Sequence, residues 1–453
     1  MKDNDVKRRH MILQGNLWQV ILILSVPVVI NNFVQSVYNF IDVLFVANIG
    51  SKEVAAISFV SPINNLILRV GMGFAIAGTT LIAREIGRED YDRAKLISVQ
   101  LINFCLMLGS ILLIVGFFFS KEILIMMSAT DELVSIANLY FKINILSIVF
   151  VFINTVYFAI KRARGATLET MIVNTMSVII KVICSAIFIN VMKKGLVGLA
   201  VSTIIATMFV SIYAVYDLFI KETNFRLSLK KFRFNKKIIS SIFIIGFPLM
   251  IEKSSVSYSF IMINKYVLGY GESVLAAYGI TNRINSLAFS SVMGFGTAVA
   301  VIIGQNLGAK QSKRAKDAVT KTFIIAIITS IVIISVILVL RYNIAGLFSK
   351  GDEELLRHTV NAMSVYSISV IPWGIFQVVI GVFQGTGHTK YNLLLSLIRL
   401  YIFRLPVVVL LSTYSNLNEY SIWYSMLISN ILTAVLSIII YMRIKKDLRL
   451  TGE

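Results

Sequence analysis

Shifted 221 residues along itself, this 453-residue chain falls into register without a gap: Pro27 on Pro248, Gly50 on Gly271, Ala55-Ala56 on Ala276-Ala277, Ile63-Asn64 on Ile284-Asn285. Met72-Gly73-Phe74 lands on Met293-Gly294-Phe295, Gly87 on Gly308, and Arg93-Ala94-Lys95 on Arg314-Ala315-Lys316. One unit is written twice. With 57% hydrophobic residues, only 15% charged and a mean hydropathy of +0.82, that unit belongs in a bilayer. A duplicated membrane unit is the mark of a transporter built from two halves around a central site.

Crossing a bilayer takes roughly 20 helical residues. Apolar stretches of that length are expected near 17–47, 53–83, 96–120, 132–160, 169–190, 196–220, 238–268, 273–307, 317–347, 354–384, 391–412 and 420–442. They are continuously apolar and do not alternate, which excludes a strand barrel. The expected fold is an all-α polytopic membrane protein with twelve transmembrane helices in two six-helix, pseudo-symmetric halves around a central cleft. The halves are residues 1–220 and 238–453, joined by the basic segment 221–237. Six spans is an even number, so both halves enter the membrane in the same orientation.

The formal net charge of +20 reflects topology. Segments that an inward N-terminus places in the cytoplasm hold 28 Lys and Arg, and the opposite side holds six: Lys52, Lys121, Lys193, Lys194, Lys350 and Arg357. That asymmetry predicts a multi-pass plasma-membrane protein with both termini cytoplasmic, and argues against nucleic acid as partner. The run KKFRFNKK in the mid-chain segment reads as an inside loop touching anionic headgroups. The first apolar stretch is too long for a cleavable signal and is expected to remain as span one. Cys105 and Cys184 lie in apolar spans and read as buried thiols.

Two turns repeat between the second and third spans of each half, GREDYDRAK at 87–95 and GAKQSKRAK at 308–316, each opening on a Gly expected to end a helix. The first span carries a polar stripe: Asn31, Asn32, Gln35, Tyr38, Asn39 and Asp42, three to four residues apart. Such a stripe must line protein or water, and its ionisable member is a functional candidate. Pro27 removes a backbone donor below the stripe and predicts a kink or hinge, with Pro248 its repeat partner. Asp42 is the favoured ion-coupling residue, since burial raises a carboxyl pKa while Asn and Tyr donors or a bound cation lower it. Its repeat partner is Ile263, so the halves are not chemically equivalent. The bland alternative is a structural ion pair.

Glu252, four residues past Pro248, is the second ion-coupling candidate, against an ion pair with Lys253, Lys265 or Arg283. Asn65 and Arg69 on the second span, Lys181 on the fifth, and Asn282 and Arg283 on the eighth are expected to line the cleft, with polar helix-to-helix contacts as the alternative. Nine Lys and Arg lie within spans: Arg69, Lys142, Lys181, Lys253, Lys265, Arg283, Arg341, Arg399 and Arg404. An electropositive interior suits anionic or zwitterionic cargo, unless residues such as Lys142, Lys265 and Arg404 snorkel to the headgroups.

The segment PVVINNFVQSVYNFIDVLFVANIGSKEVAAIS and the following GMGFAIAGTTLIAREIG, with FPLMIEKSS, GYGESVLAAYGITNRINSLAF and GFGTAVAVIIGQNLGAK in the second half, resemble the multidrug and toxic compound extrusion (MATE) family of the MOP flippase superfamily. RARGAT at 162–167 and QGTGHT at 384–389 resemble the family's turn after the fourth span of each half. The resemblance covers nearly the whole chain. It implies an exporter that alternates between inward and outward states, driven by protons or sodium, with Asp42 matching the family's coupling acid. Two departures stand out: Lys181 and Ser185 fall where many relatives have Asn and Asp, and the tenth span has no deep acid.

The leading expectation is a proton- or sodium-coupled antiporter of small amphiphilic molecules or drugs, monomeric and without a cofactor. The alternative is a flippase for an anionic lipid-linked saccharide. An enzyme is not expected, because His10, His358 and His388 show no metal-ligand spacing and no phosphate loop or activated nucleophile is visible. Nothing resembles the repeated filter of a channel.

Overall fold

The computed structural model describes residues 4–47, 51–127, 131–222, 224–229, 232–349 and 351–444, apart from the side chains of 4, 38–40, 42–44, 46, 47, 51, 52, 54, 131, 132, 257, 258, 260, 261 and 265. Regular structure among the described residues is entirely helical. In the first half run α1 (Asn4–Gln14), α2 (Leu17–Ala47), α3 (Ser51–Gly87), α4 (Tyr91–Phe118), α5 (Ser120–Met126), α6 (Asp131–Leu146), α7 (Ile148–Ala163), α8 (Thr167–Ala186) and α9 (Gly195–Tyr216). In the second run α10 (Lys236–Leu268), α11 (Glu272–Gly308), α12 (Ser312–Ser349), α13 (Glu353–Tyr366), α14 (Val370–Thr386), α15 (Lys390–Leu397), α16 (Leu405–Tyr414) and α17 (Tyr420–Ile444).

Eleven helical stretches are long and apolar enough to cross a membrane, and the pair formed by α6 and α7, bent by 42°, supplies a twelfth. The expected span 132–160 is therefore broken. Ser147 causes the break locally: its backbone N–H and its hydroxyl both donate to Asn144 O, at 3.0 and 2.6 Å, which tightens the turn. The tenth span is interrupted by a 3₁₀ turn at Ser367–Ser369, just ahead of Pro372, which has no N–H to return to the preceding turn. Wider π-helical turns close two spans, at Ile187–Val191 and Asp217–Lys221, and interrupt a third at Ile398–Arg404.

The chain forms two compact units that do not follow the sequence halves strictly: residues 1–10 with 33–250, and residues 11–32 with 251–453. Helix α2 thus begins in the second unit and ends in the first, and α10 does the reverse. The changeovers fall five residues past Pro27 and two past Pro248.

The repeated Met-Gly-Phe motif explains how each unit accepts the other half's helix. In the first unit a Cβ on Gly73 would stand 2.6 Å from Met250 N, so only glycine lets α10 lie this close to α3. In the second unit a Cβ on Gly294 would stand 2.6 Å from Val29 Cγ2 and 3.3 Å from Ser25 O, placing α2 against α11 the same way. Gly246, the repeat partner of Ser25, completes the first contact against Phe74.

Gly87 and Gly308 end α3 and α11 as expected, yet the left-handed residue in each turn lies two positions on, at Glu89 (φ 65°) and Lys310 (φ 59°). These two are repeat partners, so the backbone of the turn is duplicated even where its side chains differ. Gly165 (φ 75°) and Gly387 (φ 81°) likewise occupy the same place in RARGAT and QGTGHT. The mid-chain segment is more than a solvated loop. Phe225 and Leu227 are buried in the first unit's core, and Gln100 Nε2 donates to Arg233 O at 2.7 Å.

Candidate functional site

The polar stripe of α2 is divided by the changeover. Asn31 and Asn32 belong to the second unit and Gln35 to the first. Asn31 is half-buried, with Oδ1 lacking a hydrogen-bond partner; Asn32 Nδ2 donates to Ser290 O at 3.0 Å, tying α2 to α11; Gln35 is exposed. Tyr38, Asn39 and Asp42 lie on α2, but their side chains are outside the described residues. On α3, Asn65 is exposed and Arg69 half-buried, whereas Ser61 bonds back to Ile57 O at 2.7 Å within its own helix. Lys181 is buried on α8, and one turn on the Ser185 hydroxyl has no hydrogen-bond partner among the described residues.

Glu252 is only 4% exposed. Its Oε1 accepts from Lys253 Nζ at 3.0 Å, while its Oε2, also buried, meets no partner among the described residues. Of the three pairings expected for it, the one with Lys253 is made. Arg283 is exposed, and the Lys265 side chain is outside the described residues. A buried carboxylate with one oxygen left open can take up a proton or hold a small cation.

Around Glu252 the second unit gathers a polar interior. Tyr366 donates its hydroxyl to Asn282 Oδ1 at 3.0 Å, and Ser367 donates to Asn285 Oδ1 at 2.8 Å, so α11 and the interrupted tenth span are joined through Asn acceptors. Arg404 does not snorkel. It is buried, and donates from Nε to Ser429 Oγ at 3.2 Å and from Nη2 to Asn430 Oδ1 at 3.0 Å, because the π-helical turn that carries it aims the side chain inward. A cavity of about 520 Å³ in the same unit, lined by Gly15, Asn16, Leu17, Gln311, Lys313, Arg314, Asp317 and Lys321, takes in part of the repeated turn at 308–316 and none of the residues expected to couple ions or line the cleft.

Sequence reasoning missed an ionic cluster in the first unit. Lys161, 1% exposed, reaches Asp217 at 2.5 Å and Glu169 and Glu222 at 2.9 Å each. Arg164 pairs with Asp5 and Glu222 and lies over the Phe225 ring at 4.6 Å, and Arg8 of α1 pairs with Glu169. Burial by itself pushes the Glu222 carboxyl upward, but Arg164 and Lys161 together hold it below the ordinary range. Its partners are contributed by α1, α7, α8 and the end of the sixth span, so no local spacing marks the cluster.

A duplicated helical membrane unit whose two bodies exchange proline-bearing helices, with ionisable groups buried inside, defines a polytopic membrane transporter. Comparison with known proteins agrees. The MatE family matches residues 27–187 and 248–410, starting at Pro27 and at its repeat partner, and the chain belongs to that family. It is 25% identical over 417 residues to a multidrug export protein MepA of Staphylococcus saprophyticus, covering 92% of this chain and 91% of the relative, and 26% identical over 422 residues to one from Staphylococcus aureus at the same coverage. An outward-facing multidrug resistance MATE transporter of the MOP superfamily shares the fold with a TM-score of 0.93 at 22% identity, over 97% of this chain and 98% of the other. So does a MOP superfamily transporter from Pyrococcus furiosus, described as having a binding pocket of reverse polarity that suggests a different function (TM-score 0.91, 22% identity, the same coverage).

Proposed function

We propose that this protein is a monomeric, secondary-active exporter of small amphiphilic molecules, working by alternating access as a proton- or sodium-coupled antiporter, with both termini in the cytoplasm. One observation carries the coupling: Glu252 is a buried carboxylate with one oxygen unpartnered, set two residues past the point where α10 changes unit. Asp42 is the matching acid on α2, ten residues past that helix's changeover, and Pro27 and Pro248 serve as hinges. Neutralising a carboxylate removes most of the cost of enclosing it, so ion binding favours the closed state and ion release the open one. Exposed polar groups inside spans, Gln35, Asn65 and Arg283, cannot face lipid cheaply and are assigned to the hydrated cargo path with Asn31, Asn32, Tyr38, Asn39, Arg69, Lys181 and Asn282.

The names of the MepA relatives support drug-like cargo. Buried Lys181, Arg399 and Arg404 favour anionic or zwitterionic molecules over cations, and the reverse polarity described for the Pyrococcus furiosus transporter makes that precedent relevant. The same basic interior favours, as a second reading, a flippase for an anionic lipid-linked saccharide. The test is uptake by purified protein in liposomes, with proton and sodium gradients imposed separately against cationic and anionic dyes. Gradient-driven movement of soluble dyes supports the exporter. Movement of a lipid-linked saccharide without any dye transport supports the flippase.

A further inference from the structure

The second unit encloses a guanidinium that makes no ion pair among the described residues. Along Ile398–Arg404 the helix widens into π-helical turns closed by i→i+5 hydrogen bonds. In an α-helix, positions five apart point about 140° away from one another. The wider turn brings Arg399 and Arg404 toward the same side, and each is 5% exposed. In the register that sets Gly165 on Gly387, these arginines fall on Ser177 and Val182, so the first half has no arginine at either place.

Arg404 is satisfied by Ser429 and Asn430. Arg399 is not. Its guanidinium lies 4.6 Å above the Trp373 ring and 5.4 Å from that of Phe376, its Nε is buried without a partner, and among the described residues it makes no hydrogen bond and no ion pair. Glu252 lies within electrostatic reach, but the oxygen it has engaged is on Lys253. Among the described residues, half-buried Lys253 and buried Arg399 and Arg404 against buried Glu252 leave two surplus positive charges. Among the described residues, Trp373 Nε1 and Asn285 Nδ2 are further buried donors without partners, the Asn282 and Asn285 oxygens are already engaged by Tyr366 and Ser367, and Glu252 Oε2 is the one open carboxylate oxygen, a single acceptor against this set.

A native interior rarely leaves a buried charge and adjacent donors unmet together. A guanidinium stacked on aromatic rings keeps its N–H edge open, in the fork geometry that fits a carboxylate, phosphate or sulfonate bidentately. We propose that Arg399, with Trp373, forms an anion subsite that takes the carboxylate, phosphate or sulfonate group of an amphiphilic molecule. The inference rests on the exporter reading above and assigns the cargo its anionic group. It differs from the expectation drawn from Lys181 and Arg283, because it names one buried, aromatic-backed residue in one unit.

The test uses the full chain in detergent. Of its three tryptophans, Trp18 and Trp423 are replaced by Phe so that Trp373 alone emits. Benzoate, benzenesulfonate and inorganic phosphate are titrated at constant ionic strength, with benzyltrimethylammonium as the cationic control. A saturable emission change is expected with the anions and none with the ammonium ion. Arg399→Gln should weaken anion binding roughly thirtyfold or more, as for loss of one member of a buried charge pair, and Arg399→Lys should restore part of it. Calorimetry on the native sequence and on Arg399→Gln gives the same comparison if the Phe substitutions prevent folding. An equal response to the cation, no saturable anion binding, or undiminished binding by Arg399→Gln overturns the subsite. Anion transport without a Trp373 response defeats the subsite and leaves the exporter standing; a Trp373 response without gradient-driven transport does the reverse.

Discussion

Arg164 and Asp5, 159 residues apart, are joined by two parallel hydrogen bonds, Nε to Oδ1 at 3.0 Å and Nη2 to Oδ2 at 2.5 Å. A bidentate pair of this kind is both strong and directional. It fastens α1 to the turn after α7, and Arg9 adds bonds at 3.0 Å to the closing carbonyls of α3, Ile86 O and Gly87 O. Asp5→Asn should therefore destabilise the protein by about 1.5–3 kcal/mol, the range for a hydrogen bond to a charged group. The readout is a lower thermal midpoint in detergent and faster proteolysis within residues 4–14. An unchanged midpoint would mean that the Asp5–Arg164 pair adds nothing to stability.

Glu222 links the same cluster to pH. Its folded-state pKa lies below the ordinary value of 4.5, so its contribution to stability is complete above that value and is lost as pH falls through the lowered one. The thermal midpoint should stay level from neutrality to about pH 5 and then fall, and Glu222→Gln should lower the plateau while making the acid fall shallower. A Glu222→Gln curve parallel to wild type at every pH would contradict this.

The repeated glycines allow an internally controlled test. Gly73→Ala and Gly294→Ala each drive a Cβ to within 2.6 Å of a neighbouring helix, and overpacking of that kind costs about 1–3 kcal/mol. Gly279→Ala, on the same α11 helix but with nothing within 4 Å, should be neutral or stabilising by up to about 1 kcal/mol. Equal effects at all three positions would show that helix propensity, and not close approach, governs them.

These glycines were legible in the sequence because a repeat displays every position that both halves need. The twelvefold span pattern was legible for a related reason: a bilayer sets the length and polarity of whatever crosses it. What the sequence hid depends on partners far apart. Lys161 meets Glu169, Asp217 and Glu222 only after three helices pack. Arg404 looked able to snorkel on a regular helix, and a π-helical turn buries it instead. The bend at Ser147 turns on a hydroxyl bonding to its own backbone, which apolar composition masks. The polar stripe of α2 was read as one surface, yet its helix is shared between two bodies, and no local pattern announces that change.

Orientation is open to direct labelling. Single cysteines replacing exposed Lys121 and Glu353 should react with an impermeant thiol reagent from outside, and ones replacing exposed Asp92 and Lys313 should not. The reverse pattern would place both termini outside and overturn the reading of the 28-to-6 charge asymmetry.

The coupling claim is tested most directly on Asp42. From Leu17 to Asp42 is roughly 38 Å of helix at 1.5 Å per residue, which sets the carboxylate in the outer half of the membrane if the N-terminus is inside. Asp42→Asn fixes the neutral form, so the ion can no longer contribute different free energies to the two states. In liposomes carrying an imposed proton or sodium gradient, the Asp42→Asn protein, inserted at wild-type levels, should bind dye but fail to move it against its gradient. Wild-type rates of gradient-driven efflux by that variant would contradict the account.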